Sequence, residues 1–95
     1  MDARRQDELV IGDWKKTFTN KYSGGVVYTN QINGNYTSIN KPLGSRKWEV
    51  KVGTPSNEKG ISKRLASGEY STKKEAFKYA TKYMIEHSTN KQQTL

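Results

Sequence analysis

Val26-Val27-Tyr28-Thr29-Asn30-Gln31-Ile32-Asn33-Gly34-Asn35-Tyr36-Thr37-Ser38-Ile39-Asn40 is the stretch that decides the fold. Two runs rich in β-branched and aromatic residues flank Asn33-Gly34. That dipeptide suits a tight hairpin turn, because both central residues must take positive φ. Read as a two-residue hairpin, the segment sets Ile32 opposite Asn35 and Tyr28 opposite Ile39. Tyr28, Ile32 and Ile39 then share one face, with Val27 and Tyr36 on the other.

The same period continues on both sides. Before the hairpin, Trp14, Phe18 and Tyr22 alternate onto one face with Lys16 and Asn20, and Lys15, Thr17, Thr19 and Lys21 onto the other. Ser23-Gly24-Gly25 ends that strand. After it, Lys41-Pro42-Leu43-Gly44-Ser45 reads as a turn. The strand from Arg46 to Val52 points Trp48, Val50 and Val52 inward and Lys47, Glu49 and Lys51 outward. Residues 53–60 are a loop. A fifth run over about 61–66 puts Ile61, Lys63 and Leu65 on one face and Ser62, Arg64 and Ala66 on the other.

The chain then changes period. Thr72 is the expected N-cap of a helix over 73–87, and Glu75 completes a capping box. Ala76, Phe77, Ala80, Tyr83, Met84 and His87 fall on one arc, with Tyr79 at its edge. Lys74, Lys78 and Lys82 form the opposite stripe, which also contains Ile85. The expected fold class is α+β: a four- to five-stranded antiparallel sheet followed by one C-terminal amphipathic helix packed on one face. The connections are too short for parallel crossovers. Residues 1–12 read as a flexible polar leader, 13–87 as a single domain and 88–95 as a frayed tail. One helix covers one face, so the other is solvated or meets a partner.

The chain has 95 residues, no cysteine, 32% hydrophobic content and a net charge of +8. Without cysteine, neither disulfides nor thiolate chemistry is available, which fits a reducing interior. No apolar run approaches membrane-spanning length, and Leu9-Val10-Ile11 is too short for a secretory core. An intracellular location, in cytoplasm or nucleoid, is expected, with no membrane partner. Catalysis is not expected. The one histidine, His87, sits at a helix end, where a cation is favoured, and the acids are scattered along the chain. No metal and no cofactor are expected either, because one histidine without cysteine cannot supply a ligand set.

Charge is the feature that points to a partner. Residues 14–95 carry 15 Lys/Arg against 5 Asp/Glu. Lys73 and Lys74 occupy the first helical turn, where a cation costs about 0.3–1 kcal/mol against the helix dipole. An anion docked there reverses that sign. Arg46, Lys47, Lys51, Lys63 and Arg64 add cations that a hairpin of the fourth and fifth strands could gather. Tyr36 and Tyr22 are the rings most open to stacking, whereas Trp48, Phe77 and Phe18 are needed as core. The expected function is a small basic nucleic-acid-binding protein that contacts mainly the phosphate backbone with modest sequence specificity. DNA is favoured over RNA, and duplex DNA over single strands because the rings are needed inside. The alternative is a protein-interaction module, a small accessory or inhibitory protein docking on an acidic partner surface. An exposed sheet edge offers a route to a homodimer.

Residues 68–80 (Gly-Glu-Tyr-Ser-Thr-Lys-Lys-Glu-Ala-Phe-Lys-Tyr-Ala) resemble the last strand–helix junction of double-stranded RNA-binding domains. Thr72, Lys73, Lys74, Ala76 and Ala80 match that pattern. Phe77 and Tyr70 depart from it, and no helix precedes the sheet. The resemblance implies that Lys73 and Lys74 reach phosphates.

Overall fold

The computed structural model describes residues 9–89; the expectations for residues 1–8 and 90–95 lie outside that range. Six strands, β1 (Val10–Ile11), β2 (Trp14–Thr19), β3 (Val26–Asn30), β4 (Tyr36–Asn40), β5 (Trp48–Gly53) and β6 (Arg64–Tyr70), are followed by helix α1 (Lys73–Glu86). Sheet order equals chain order, and every neighbouring pair is antiparallel. The α+β class holds, with six strands in place of four or five. The added strand comes from the end of the expected leader. Val10 pairs with Lys15 and Ile11 with Trp14, and Ile11 enters the core at 1% exposure. Burial of one isoleucine, worth about 1.5–3 kcal/mol, recruits a segment too short to read as a strand.

The decisive hairpin keeps its faces but not its turn. Asn30 N donates to Asn35 O at 2.7 Å and Gly34 N to Asn30 O at 2.9 Å. The Asn30 carboxamide Oδ1 accepts from Ile32 N at 2.7 Å and Asn33 N at 3.1 Å. The loop is therefore four residues, Gln31 to Gly34, opened by an asparagine and closed by a glycine at φ 81°. The register moves by two, to Tyr28↔Thr37 and Val26↔Ile39. A slip of two leaves each side chain on its expected face. Ile32 is the exception, lifted to the loop tip at 69% exposure.

The β2–β3 connection repeats the design. Asn20 N donates to Gly25 O, Gly24 N donates to Asn20 O, and Asn20 Oδ1 accepts from Tyr22 N and Ser23 N. Gly24 closes that loop at φ 79°. Asn-x-x-x-Gly is thus the turn signal at both places, since the carboxamide substitutes for the backbone acceptor that starts the turn and glycine alone takes left-handed φ without strain.

Two further expectations fail through irregular pairing. The β2–β3 register shifts between Lys16 and Phe18. Trp14 stays inward at 1% exposure, while Phe18 turns out opposite Val27 at 57%. Phe18 is therefore not core. The fifth run begins later than expected. Asn57 Oδ1 accepts from Lys59 N and Ile61 N, and Thr54 binds Lys63 through both its backbone N–H and its hydroxyl. Ile61 is held in the loop, Lys63 precedes the strand, and Ser67 to Tyr70 pair with Trp48 to Lys51.

The core lies between one sheet face and α1. Trp14, Val26, Tyr28, Ile39, Val50 and Val52 meet Ala76, Phe77, Ala80 and Met84, all nearly inaccessible. Tyr28 and Phe77 pack edge to face, with centroids 6.2 Å apart at 86°. Thr72 Oγ1 accepts from Glu75 N at 3.1 Å as the expected cap. His87 leaves the expected core arc. It caps the helix end and stacks on Tyr83 at 3.9 Å, while Ile85 is half-buried against the core. The first residues of the expected tail are bonded to the sheet. Ser88 Oγ accepts from Asp13 N at 3.0 Å and donates to Met84 O at 2.6 Å; Thr89 N and Oγ1 donate to Asp13 Oδ2 at 2.6 and 2.8 Å.

Asn30 is 2% exposed, so Asn30→Ala strands two loop N–H groups and should lower stability by about 1–3 kcal/mol. Urea unfolding measures it; an unchanged midpoint would show that the carboxamide does not hold the loop.

Candidate nucleic-acid interface

In an antiparallel meander, alternate connections lie at the same end of the sheet. The 20–25 turn, the 41–47 loop and the 71–74 junction share one end; the 31–35 and 54–63 loops share the other. The first end carries Lys21, Lys41, Arg46, Lys47, Lys73 and Lys74, and those three connections contain no acidic residue. The junction and the 20–25 turn touch: a Cβ placed on Gly24 would lie 3.6 Å from Lys73 Nζ and 3.7 Å from the Trp48 ring.

The seven expected basic residues do not form one patch. Arg46, Lys47, Lys73 and Lys74 collect at this end. Lys51 and Arg64 stand on the helix-free face, where Lys51 Nζ lies 3.3 Å from Glu49 Oε1. Arg64 lines a groove of about 380 Å³ there with Glu49, Lys51 and Glu69. Two carboxylates offset the two cations, so the expected cationic hairpin surface is absent. Lys63 sits at the opposite end of the sheet. Lys21 and Lys41, which the sequence reading passed over, complete the basic end. The signal that finds them is the sign of charge summed over every second connection of the meander.

Lys73 is also not the outward arm that the resemblance implies. Its Nζ lies 5.7 Å from the Trp48 ring centroid and 5.9 Å from that of Phe77. The ammonium caps a half-buried aromatic edge, a contact worth about 0.5–1 kcal/mol, and still borders the basic end. Lys74 is exposed. Lys47 faces a second groove of about 510 Å³ with Lys78, Lys82, Tyr70, Tyr79, Glu69 and Glu75.

The two expected stacking rings differ. Tyr36 lies on the helix-free face with its ring over Gly53, where a Cβ would come within 2.7 Å of Tyr36 Cε2. The sheet covers one side of that ring. Tyr22 stands at the tip of its loop at 93% exposure. It lines a groove of about 630 Å³ with Asn20, Ser23, Asn40, Lys41 and Leu43 among others. Leu43 is fully exposed.

Among the described residues, no three His, Cys, Asp or Glu side chains group as metal ligands, and no helix is long and apolar enough to cross a membrane. Comparison with protein-family models, with curated proteins and with solved structures finds no match.

Tyr70 and Tyr79 stack at 5.6 Å. Burial, then the neighbouring Tyr79, raises the Tyr70 and Tyr83 phenols above the ordinary tyrosine value. The neutral phenols favour the fold. Their contribution is complete below about pH 10 and is lost as pH rises through the raised values. An alkaline titration should show destabilisation above about pH 10, and Tyr70→Phe/Tyr83→Phe should lessen it. Identical alkaline transitions in both proteins would refute this role.

Proposed function

We propose that this domain binds nucleic acid, DNA before RNA, through phosphates held at the basic end of its sheet. One observation carries the reading: the three connections at that end carry six cations and no acidic residue, with Glu69 and Glu75 at their border. Fixed cations at that density neutralise successive phosphates and release their counterions. The geometry suits backbone contact more than base reading, since α1 presents lysines and its inner face is committed to the sheet. On this reading the protein acts as a binding domain inside the cell.

The exposed Leu43 and Tyr22 beside these cations favour the second reading, an acidic protein surface with an apolar anchor. Salt separates the two. For DNA, log affinity falls linearly with log salt, with a slope of about −3 to −5 for four to six phosphates. Arg46→Glu/Lys74→Glu reverses two exposed charges that make no packing contact comparable with Lys73. It should weaken DNA binding more than tenfold at moderate salt and flatten the slope. Retention on DNA resin that is unchanged by this pair, or absent at low salt, would overturn the reading.

A further inference from the structure

The charge pattern says where phosphates sit; the side chains beside it say what kind of strand they belong to. This inference rests on the proposed nucleic-acid reading and narrows its substrate. Two aromatic rings that the sequence assigned to strand faces are outside the fold. Phe18 is turned out by the register shift in β2, at 57% exposure, and Tyr22 is lifted to a loop tip, at 93%. Between them lie two carboxamides. Phe18, Asn20, Val27 and Asn40 line a shallow groove of about 230 Å³ on the helix-free face. Asn20, Tyr22, Asn40, Lys41 and Leu43 line the groove of about 630 Å³ beside it at the basic end. Asn20 and Asn40 line both, so the two grooves adjoin at these carboxamides and together make the track.

The floor of this track is backbone. Gly25 is buried with the Asn40 carboxamide directly above it: a Cβ there would meet Asn40 Oδ1 at 2.7 Å. The loop that presents Tyr22 is held by Asn20 Oδ1, which accepts from Tyr22 N and Ser23 N. That oxygen is committed to the loop backbone. Glu49, opposite Asn40 in the ladder, is paired with Lys51.

We infer that this track holds an unpaired segment of a DNA strand. Bases stack on Tyr22 and Phe18, the Asn20 and Asn40 carboxamides meet base edges, and Lys21, Lys41 and Arg46 follow the phosphates. A duplex buries the faces of its bases and offers nothing to an exposed ring, whereas an unpaired base stacks on an aromatic side chain. Charge alone attracts either form; exposed rings interleaved with amides and cations select the unpaired one. The expectation that duplex is favoured rested on the rings being needed inside, and for Phe18 that premise does not hold.

The test uses the full chain and three probes of about ten nucleotides of matched sequence: a single DNA strand, the duplex and the ribose single strand. At moderate salt the DNA strand should bind at least tenfold tighter than the duplex. Tyr22→Ala should weaken single-strand binding about tenfold and leave duplex binding unchanged, while Tyr22→Trp should retain the single-strand affinity. Tyr22 is at a solvent-exposed tip, so thermal unfolding should stay the same in both variants. Equal affinity for single and double strands, or a Tyr22→Ala protein that binds both as before, overturns the stacking track. In that case Arg46→Glu/Lys74→Glu still weakens both probes and the phosphate reading stands. A ribose strand bound tenfold tighter than the DNA strand overturns the choice of DNA. Failure of all three probes to bind at low salt overturns the nucleic-acid reading and this inference together.

Discussion

The helix has to lie across the whole sheet, because among the described residues it is the only element available to cover one of its faces. Its start is fixed by chain connectivity to β6 at one edge. Its end is fixed by the Asp13–Ser88–Thr89 hydrogen bonds to the β1–β2 turn at the other edge. Between these anchors, Ala76, Phe77, Ala80 and Met84 are carried over β4 and β5 and onto Tyr28. Small residues at Ala76 and Ala80 let the helix approach closely, and Phe77 fills the depth that results. A chain with only 32% hydrophobic residues cannot build a second layer. One face is left to solvent, and the fold depends on the other being fully closed.

This economy explains where the charge went. The covered face accepts almost no ionised group, and the open face balances Lys51 and Arg64 against Glu49 and Glu69. Balanced pairs suit a sheet surface, where opposite charges on neighbouring strands attract and like charges repel. The connections have no such neighbours. Cations can accumulate there without disturbing a ladder, and the meander brings alternate connections together in space. The basic end is therefore a product of topology as much as of composition.

The sequence made the fold class legible because its two periods are strong: alternation through Trp48-Glu49-Val50-Lys51-Val52, and the 3.6 repeat through Ala76, Phe77, Ala80 and Met84. Faces were legible even where register was not, since the hairpin slipped by two residues and a slip of two conserves orientation. What stayed hidden came from single-residue irregularities. The register shift before Phe18 has no signature in composition. β1 owes its existence to one buried isoleucine. The Asn30 carboxamide outcompeted Asn33-Gly34 for the turn. The candidate site was half legible: Lys73, Lys74, Arg46 and Lys47 were found as cations, but grouping them with Lys21 and Lys41, and separating them from Lys51, Lys63 and Arg64, needed the order of strands. Tyr22 was named as an open ring and is exposed, although its place at a loop tip, away from any strand face, was not foreseen.

The two asparagine-opened loops hold themselves closed with groups that belong to the first and last residue of each motif. Three of the residues between add side-chain bonds: Ser23 Oγ accepts from Gly25 N, Asn33 Oδ1 accepts from Asn35 N, and Gln31 Nε2 donates to Thr29 O. The fold therefore exerts little selection on Lys21, Tyr22 and Ile32, whose exposed side chains take no part in closing either loop. At those three positions the side chain can be rewritten by mutation while the scaffold keeps its shape. Those three positions are thus free to answer to demands other than those of the fold.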